Sequence, residues 1–564
     1  MKRFSFFLLI ALIAAVSAVA LAACGGGGST TGSGPSTSEP EGEGTPAAEG
    51  EGNEGGTLKG AYTSFPDYMD PQISYTAEGW TAMRPVYVPL LTYKAAAEAE
   101  GSEIIPGLAK ELPKVTNGGK TYTLFLRPGL KYSNGEPIKA GDFKYAVERC
   151  FLTNSGGSPF YTDIVGAEEF AKTKKGGIPG IKVNEKTGEI VINLVSPRGT
   201  FNNELALMFV APVPQSTPDE DQSASPPPAS GPYMITKSQP GRGWTYERNP
   251  YWAKANGKEI ELPSGHVDKI EIEIQRNQST QVNDVESGKL NWIFDPPPTD
   301  RYQEVKEKFE GTQFTAEPTI STYYFWMNQT EEPFDNLKVR EAVNYAVDPA
   351  ALERIYTGQI VGTQQILPPG MPGYKKFELF PHDVAKAKEL IAESGVKDKE
   401  VTVWTDSESP NNDAGTYYEG VLNEIGLKAE LKILNPDNYF TVIGNTSTPN
   451  LDTGFADWFQ DYPHPNDFLF LLNGENIQST NNQNFSQTNV KPLNEKIDKL
   501  ATELLGPQQE TEYAELDEEF MKEAAWAPYG TRTLSLFVSE NINLETAIWN
   551  PTFETELTSL EFTE

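Results

Sequence analysis

The chain has 564 residues, enough for two or more lobes each with a sizeable core, and 38% of them are hydrophobic. Its 46 lysines and arginines face 79 aspartates and glutamates, a formal charge of −33, which argues against any phosphate-tracking surface and so against a nucleic-acid partner. Such acidity suits solubility and repulsion from anionic lipid, or the attraction of cationic ligands.

In chain order, residues 1–23 have the layout of a secretion signal: Lys2 and Arg3, an apolar run from Phe4, then Leu21-Ala22-Ala23 before Cys24. A cysteine there is the acceptor of a bacterial lipoprotein signal, so the mature chain is expected to begin at Cys24 and carry lipid on it. The apolar run is long enough to span a bilayer. The flank after it, however, is Gly25-Gly26-Gly27-Gly28 rather than a basic stop-transfer patch. The remaining cysteine, Cys150, then has no intramolecular partner, and the fold rests on its core. Residues 24–55 are Gly, Ser, Thr, Pro, Ala and Glu with almost nothing to bury, a flexible tether. Taking away Lys2 and Arg3 and the six glutamates 39, 41, 43, 49, 51 and 54 leaves the body at −33 − 2 + 6 = −29.

Beyond residue 56, strands and helices alternate. Tyr122, Leu124 and Leu126 alternate with polar or opposite-face residues, as do the isoleucines and glutamates of 270–274. Asn117-Gly118-Gly119-Lys120-Thr121 reads as a hairpin turn and not a phosphate loop, because the required earlier glycine is Lys114. Asn134-Gly135 is a second tight turn between strand-like runs. Asp142 falls in the first turn of a helix, Pro250 ends a strand, and Ser225-Pro226-Pro227-Pro228 reads as an exposed loop. Val339, Ala342, Val343 and Ala346 form one helical stripe. Asp383 caps a helix that Gly395 closes, and Leu493, Ile497, Leu500 and Leu504 form a further stripe. The mixture predicts α/β lobes.

Catalytic patterns are missing. There is no G-x-S-x-G elbow, and His266, His382 and His464 stand apart in no metal-ligand context, as expected of surface or capping residues. No cofactor, no metal and no enzymatic activity are expected. Asp457 and Asp461 flank Trp458, which could suggest a glycosidase pair, but an aromatic wall with an anion for a ligand amine is the better use of such a cluster.

Many segments, in order, carry one resemblance. They are Met69-Asp70-Pro71, Tyr87-Val88-Pro89-Leu90-Leu91, Lys131-Tyr132-Ser133-Asn134-Gly135, Ala140-Gly141-Asp142-Phe143 and Gly231-Pro232-Tyr233. They continue with Glu247-Arg248-Asn249-Pro250-Tyr251-Trp252, Asn328 with Pro333-Phe334, Val339-Arg340-Glu341-Ala342 and Trp458-Phe459-Gln460-Asp461. From about residue 56 to the end the chain resembles the extracytoplasmic solute-binding proteins of ABC importers, in the class that includes oligopeptide- and dipeptide-binding proteins. Val88 replaces the glutamate usual there, and a spacer residue is missing between Pro250 and Tyr251.

The resemblance implies an α/β, two-lobed periplasmic-binding-protein-like fold. Lobe I would take residues 56–318, with a subdomain at about 89–201, and return over 530–564; lobe II would take 319–529, with hinges near Thr319 and Gly530. Asp461 would pair with the α-amino group of a bound peptide, while Asp457, Trp458 and Phe459 offer backbone groups to its main chain. By spacing, Tyr75, Thr76 and Ala77 would contribute from lobe I. The implied partners are a peptide or other small solute (a sugar, an opine or a metal chelate), an ABC permease with its ATPase, and the outer face of the cell membrane through Cys24. The protein is expected to be a monomer.

Overall fold

The computed structural model describes residues 55–563 except 253–259 and 397–398. The signal, Cys24 and nearly all of the expected tether lie outside the described residues. Among the described residues no helix is long and apolar enough to cross a membrane.

The apolar patterns read from the sequence become the two faces of one long mixed sheet. Its twelve strands run in the order Lys428–Leu434, Glu400–Asp406, Thr453–Phe459, Ser321–Met327, Trp526–Val538, Trp292–Ile293, Thr57–Tyr62, Lys269–Ile274, Gly243–Arg248 and Tyr233–Gln239, with Phe314–Pro318 and Ile360–Val361 also pairing with Trp526–Val538. At its two ends the sheet serves two separate cores. One is built from residues 58–272 with 536–560, joined by Trp292 and Tyr462, and the other from residues between 320 and 529; a small third cluster over Phe309, Phe314 and Phe537 extends the first. This is the two-lobed α/β architecture expected from the sequence. Each lobe buries one continuous set of aromatic and aliphatic side chains.

The chain passes between the cores at two places that lie side by side. Pro318 pairs with Thr533, Tyr323 pairs with Gly530, and a register shift separates Tyr323 from Tyr324. Between them the Thr319 amide and hydroxyl both donate to the Arg532 carbonyl, at 2.8 and 3.0 Å. A Cβ on Gly530 would lie 2.8 Å from Ile360, so the crossing strand is packed to the backbone there.

Local detail follows the sequence in most places. Tyr122 and Leu124 are buried on the strand Thr121–Phe125, which pairs with Lys114–Thr116 across the Asn117-Gly118-Gly119 turn, all three residues at positive φ. With Ile181–Asn184 and Glu189–Asn193 these strands form a four-stranded sheet on the first lobe, against which the helix Ala140–Leu152 packs. Asp383 accepts from the Lys386 amide at 2.9 Å to start the helix Val384–Ser394, and Gly395 ends it at φ 77°.

Four expectations change. The flanks of Asn134-Gly135 share a single bridge, Lys131 to Pro137, because proline has no amide to extend the ladder. Leu504 leaves its stripe: the helix Lys491–Leu500 has ended before it, and it is 48% exposed. Pro227 is buried rather than exposed, its carbonyl accepting from the Tyr87 hydroxyl at 2.8 Å. His464 is fully buried and not at the surface; it takes the capping alternative, its Nδ1 accepting from the Asn466 amide at 3.1 Å, and burial pushes its pKa down to about 3.

Candidate functional site

The loop after Asp70 is held by a buried ion pair. Arg149, on the helix Ala140–Leu152, donates from both terminal nitrogens to the Asp70 carboxylate, at 2.6 and 2.7 Å, and from one of them to Gln72 Oε1 at 2.9 Å. Asp70 also accepts from the Gln72 and Gln222 amides, so its lone pairs are occupied. Asp67 then fastens the next turn: it accepts from the Tyr75 amide at 2.7 Å, the Ser74 hydroxyl at 2.6 Å and the Thr76 hydroxyl at 3.1 Å. Thr76 in turn caps the helix Ala77–Met83 by accepting from the Gly79 amide. Tyr75, Thr76 and Ala77 are therefore fixed in position by carboxylates behind them.

From the other lobe comes the strand Thr453–Phe459. One of its edges pairs along its whole length with Ser321–Met327. The other edge pairs with Glu400–Asp406 only at Thr453 and Gly454, so residues 455–459 have no strand partner there among the described residues. Such an edge can accept an added extended segment.

These two regions meet. Tyr75, Thr76, Ala77, Phe459 and Asp461 line one cavity of about 170 Å³. The Tyr75 hydroxyl donates to Asp461 Oδ2 across the lobes at 3.0 Å. Beside it Gln460 Nε2 donates to the Pro551 carbonyl at 2.9 Å, and farther off the Gly199 amide donates to the Ala501 carbonyl at 2.7 Å. A Cβ on Gly199 would fall 1.9 Å from the Glu503 carbonyl, so the lobes are in backbone contact there. Asp461 also borders a second cavity of about 490 Å³, with Phe160, Arg198 and Tyr462 among its walls.

Two of the residues expected at the site lie outside the first cavity. The Trp458 indole faces Phe470 and donates to Asp467 Oδ2 at 3.4 Å. Asp457 is half-buried against Tyr323, near Asp406 and Arg532; burial raises its pKa to about 6. Strand alternation separates Asp457 from Trp458, and Asp461 falls past the strand end.

Burial also raises Asp461, to about 7, while the Tyr75 hydroxyl pulls it back. Asp467, 1% exposed, accepts from the Asp461 amide at 2.8 Å, and burial and the neighbouring Asp461 charge raise it as well. No lysine or arginine lines the smaller cavity; Arg198 is in the wall of the larger one that Asp461 also borders, but pairs with Asp163 and Glu204.

Sequence reasoning did not find Trp80, Ile320, Trp549, Pro551 and Glu554, which complete the walls. The last three belong to or adjoin the hairpin Trp549–Asn550 and Glu554–Thr555, in the return of the chain to the first lobe. No motif marks them. Among the described residues no group of three His, Cys, Asp or Glu side chains is placed to hold a metal.

Comparison with known proteins follows the same line. Residues 103–480 match the family described as bacterial extracellular solute-binding proteins, family 5 Middle, and the chain belongs to that family. The oligopeptide-binding protein OppA of Bacillus subtilis (strain 168) is 26% identical over 503 residues, 84% of this chain and 85% of that one. The dipeptide-binding protein of Escherichia coli (strain K12) is 25% identical over 355 residues, 59% of this chain and 62% of its own. Among solved structures, clavulanic acid biosynthesis oligopeptide binding protein 2 superposes with a TM-score of 0.83 at 22% identity, covering 91% of this chain and 96% of that one. The DppA protein of Helicobacter pylori, in complex with the peptide STSA, gives a TM-score of 0.69 at 19% identity, covering 91% and 99%.

Proposed function

We propose that this protein is a lipid-anchored receptor of an ABC importer that captures peptides between its lobes and delivers them to a membrane permease powered by a separate ATPase. The observation that carries the reading is Asp461: a carboxylate with no basic partner, at the lobe junction and beside an unpaired strand edge. Asp461 would hold the α-amino group, and residues 457–459 the peptide main chain, in a manner blind to side-chain identity. The names of the relatives, oligopeptide- and dipeptide-binding, agree with this. In the proposed division, lobe I takes 56–318 (subdomain about 89–201) and 530–564, and lobe II takes 319–529. Ligand that touches both lobes favours the closed state by its differential affinity for it. The chain itself catalyses nothing and acts as a monomer outside the cytoplasm. Cys24 carries the lipid, and a coil of roughly 30 residues spans about 30 Å, enough for the body to reach a permease.

Native mass spectrometry of the purified protein identifies any co-purified ligand. Calorimetric titration with short peptides and their N-acetylated forms then tests the anchor: acetylation should abolish binding. Equal affinity for both forms would overturn the amine reading and favour a non-peptide solute on the same scaffold. Replacing Cys24 by Ala should release the protein from the membrane with its ligand affinity intact.

A further inference from the structure

We propose that Glu554 forms, beside Asp461, a second anionic subsite in the lobe-junction cavity, selecting ligands that carry a second cationic group next to the α-amine, namely a basic side chain on the first residue. The inference rests on the amine reading of Asp461 and extends it to the substrate class.

Glu554 lines the same cavity of about 170 Å³ as Asp461. Among the described residues nothing donates a hydrogen bond to its carboxyl and no cation pairs with it. The contrast with its neighbours is sharp. Asp295 accepts from the Thr63 amide and hydroxyl, both at 2.7 Å, and Glu556 is paired with Arg84 at 3.1 Å. Glu554 sits at φ 57°, a conformation that favours glycine or asparagine, yet the position is a glutamate. The turn that presents it is pinned from behind: Asn550 Oδ1 accepts from the Thr552 and Phe553 amides, and its Nδ2 donates to the Lys94 carbonyl at 2.9 Å.

Two buried polar atoms at this place independently ask for a ligand. Trp549, 7% exposed, lines the cavity, and its indole N–H has no acceptor among the described residues. Gln460 Oε1, in the cavity wall, is the second such atom. A peptide satisfies this set: its first carbonyl takes the Trp549 N–H, while its basic side chain donates to Glu554 and Gln460. Trp80 and Trp549 supply aromatic walls of the kind on which a guanidinium stacks. Burial, with Glu78 and Asp295 nearby, raises the Glu554 pKa to about 8, a cost that a bound cation relieves. The body's charge of −33 − 2 + 6 = −29 concentrates cationic solutes around it.

The test is calorimetric titration of the purified chain with Arg-Ala-Ala and with citrulline-Ala-Ala, which keeps the shape of the side chain without its charge. The wild type should prefer the arginine peptide by about tenfold or more. In Glu554→Gln that ratio should fall to within about twofold, while Glu554→Asp, which keeps the charge, should retain part of it. Melting curves confirm that each variant is folded. Asp461→Asn should weaken both peptides and leave the ratio in place, so the two subsites fail separately. Free arginine and free citrulline form a second arm. If neither peptide binds but arginine is preferred over citrulline, the peptide reading falls and the anionic subsite stands, with a basic amino acid as its ligand. A wild-type ratio near one in both arms, or a ratio that Glu554→Gln leaves unchanged, overturns the proposal.

Discussion

Asp70 and Asp461 sit at opposite ends of the same loop-to-cavity path, and their surroundings differ in one respect. Asp70 is fully buried and meets a bidentate Arg149, Gln72 and two backbone amides. Asp461 accepts from one tyrosine hydroxyl of the other lobe and forms no ion pair among the described residues, the nearby Arg198 being taken by Asp163 and Glu204. Both carboxylates belong to segments that carry the family resemblance, so order and spacing do not separate their roles. Pairing does. A charge satisfied within its own lobe holds the fold, whereas a charge left to a neighbour across a gap is available to a ligand.

The comparison can be broken most forcefully at Asp70. Asp70→Ala strands the Arg149 guanidinium in the core and should cost about 3–5 kcal/mol of stability, read from denaturant melts. A variant as stable as the wild type would mean that the ion pair does not hold the loop. At Asp461 the expected effects are reversed. Asp461→Asn should leave the melting midpoint unchanged or raised, because a buried acid has been neutralised. Peptide affinity should drop by about 2 kcal/mol, roughly thirtyfold.

pH sharpens the contrast. With its pKa raised to about 7, Asp461 is largely protonated below that value and ionised above it. Binding of an ammonium needs the ionised form, so affinity should rise from pH 6 to 7.5. It should then fall as the peptide α-amine, with its usual pKa of about 7.7–8.0, loses its proton. Below pH 7 binding should release protons, visible as a buffer-dependent heat; an affinity flat across this range would contradict the assignment. The smallest effect belongs to Tyr75→Phe. It removes the hydroxyl that favours the ionised Asp461, so affinity at pH 8 should stay within about threefold while the acid limb moves to higher pH.

Much of the fold was legible because side-chain period maps directly on to burial. Ile270 and Ile272 face a core with Glu271 and Glu273 turned away, and Val339, Ala342, Val343 and Ala346 are all buried on the helix Leu337–Ala346. Period fails at ends. Leu504 continues the spacing of Leu493, Ile497 and Leu500, but the helix stops at Leu500 and Pro507 opens the next one. The site was legible where ordered motifs fix positions, as at Asp461. Trp549 and Glu554 carry no such signal: they lie about ninety residues further on and reach the cavity only because the chain returns to the first lobe. Nor could spacing reveal that Trp458 turns toward Phe470 while Asp461, three residues later, faces Tyr75.

The strand Trp526–Val538 has a further consequence. Its first residues pair with Ser321–Met327 and its last with Trp292–Ile293 and Phe314–Pro318. Two cores that share one strand cannot melt as strangers. Fraying of either lobe exposes hydrogen bonds on which the other depends, so heat should unfold the body in a single transition.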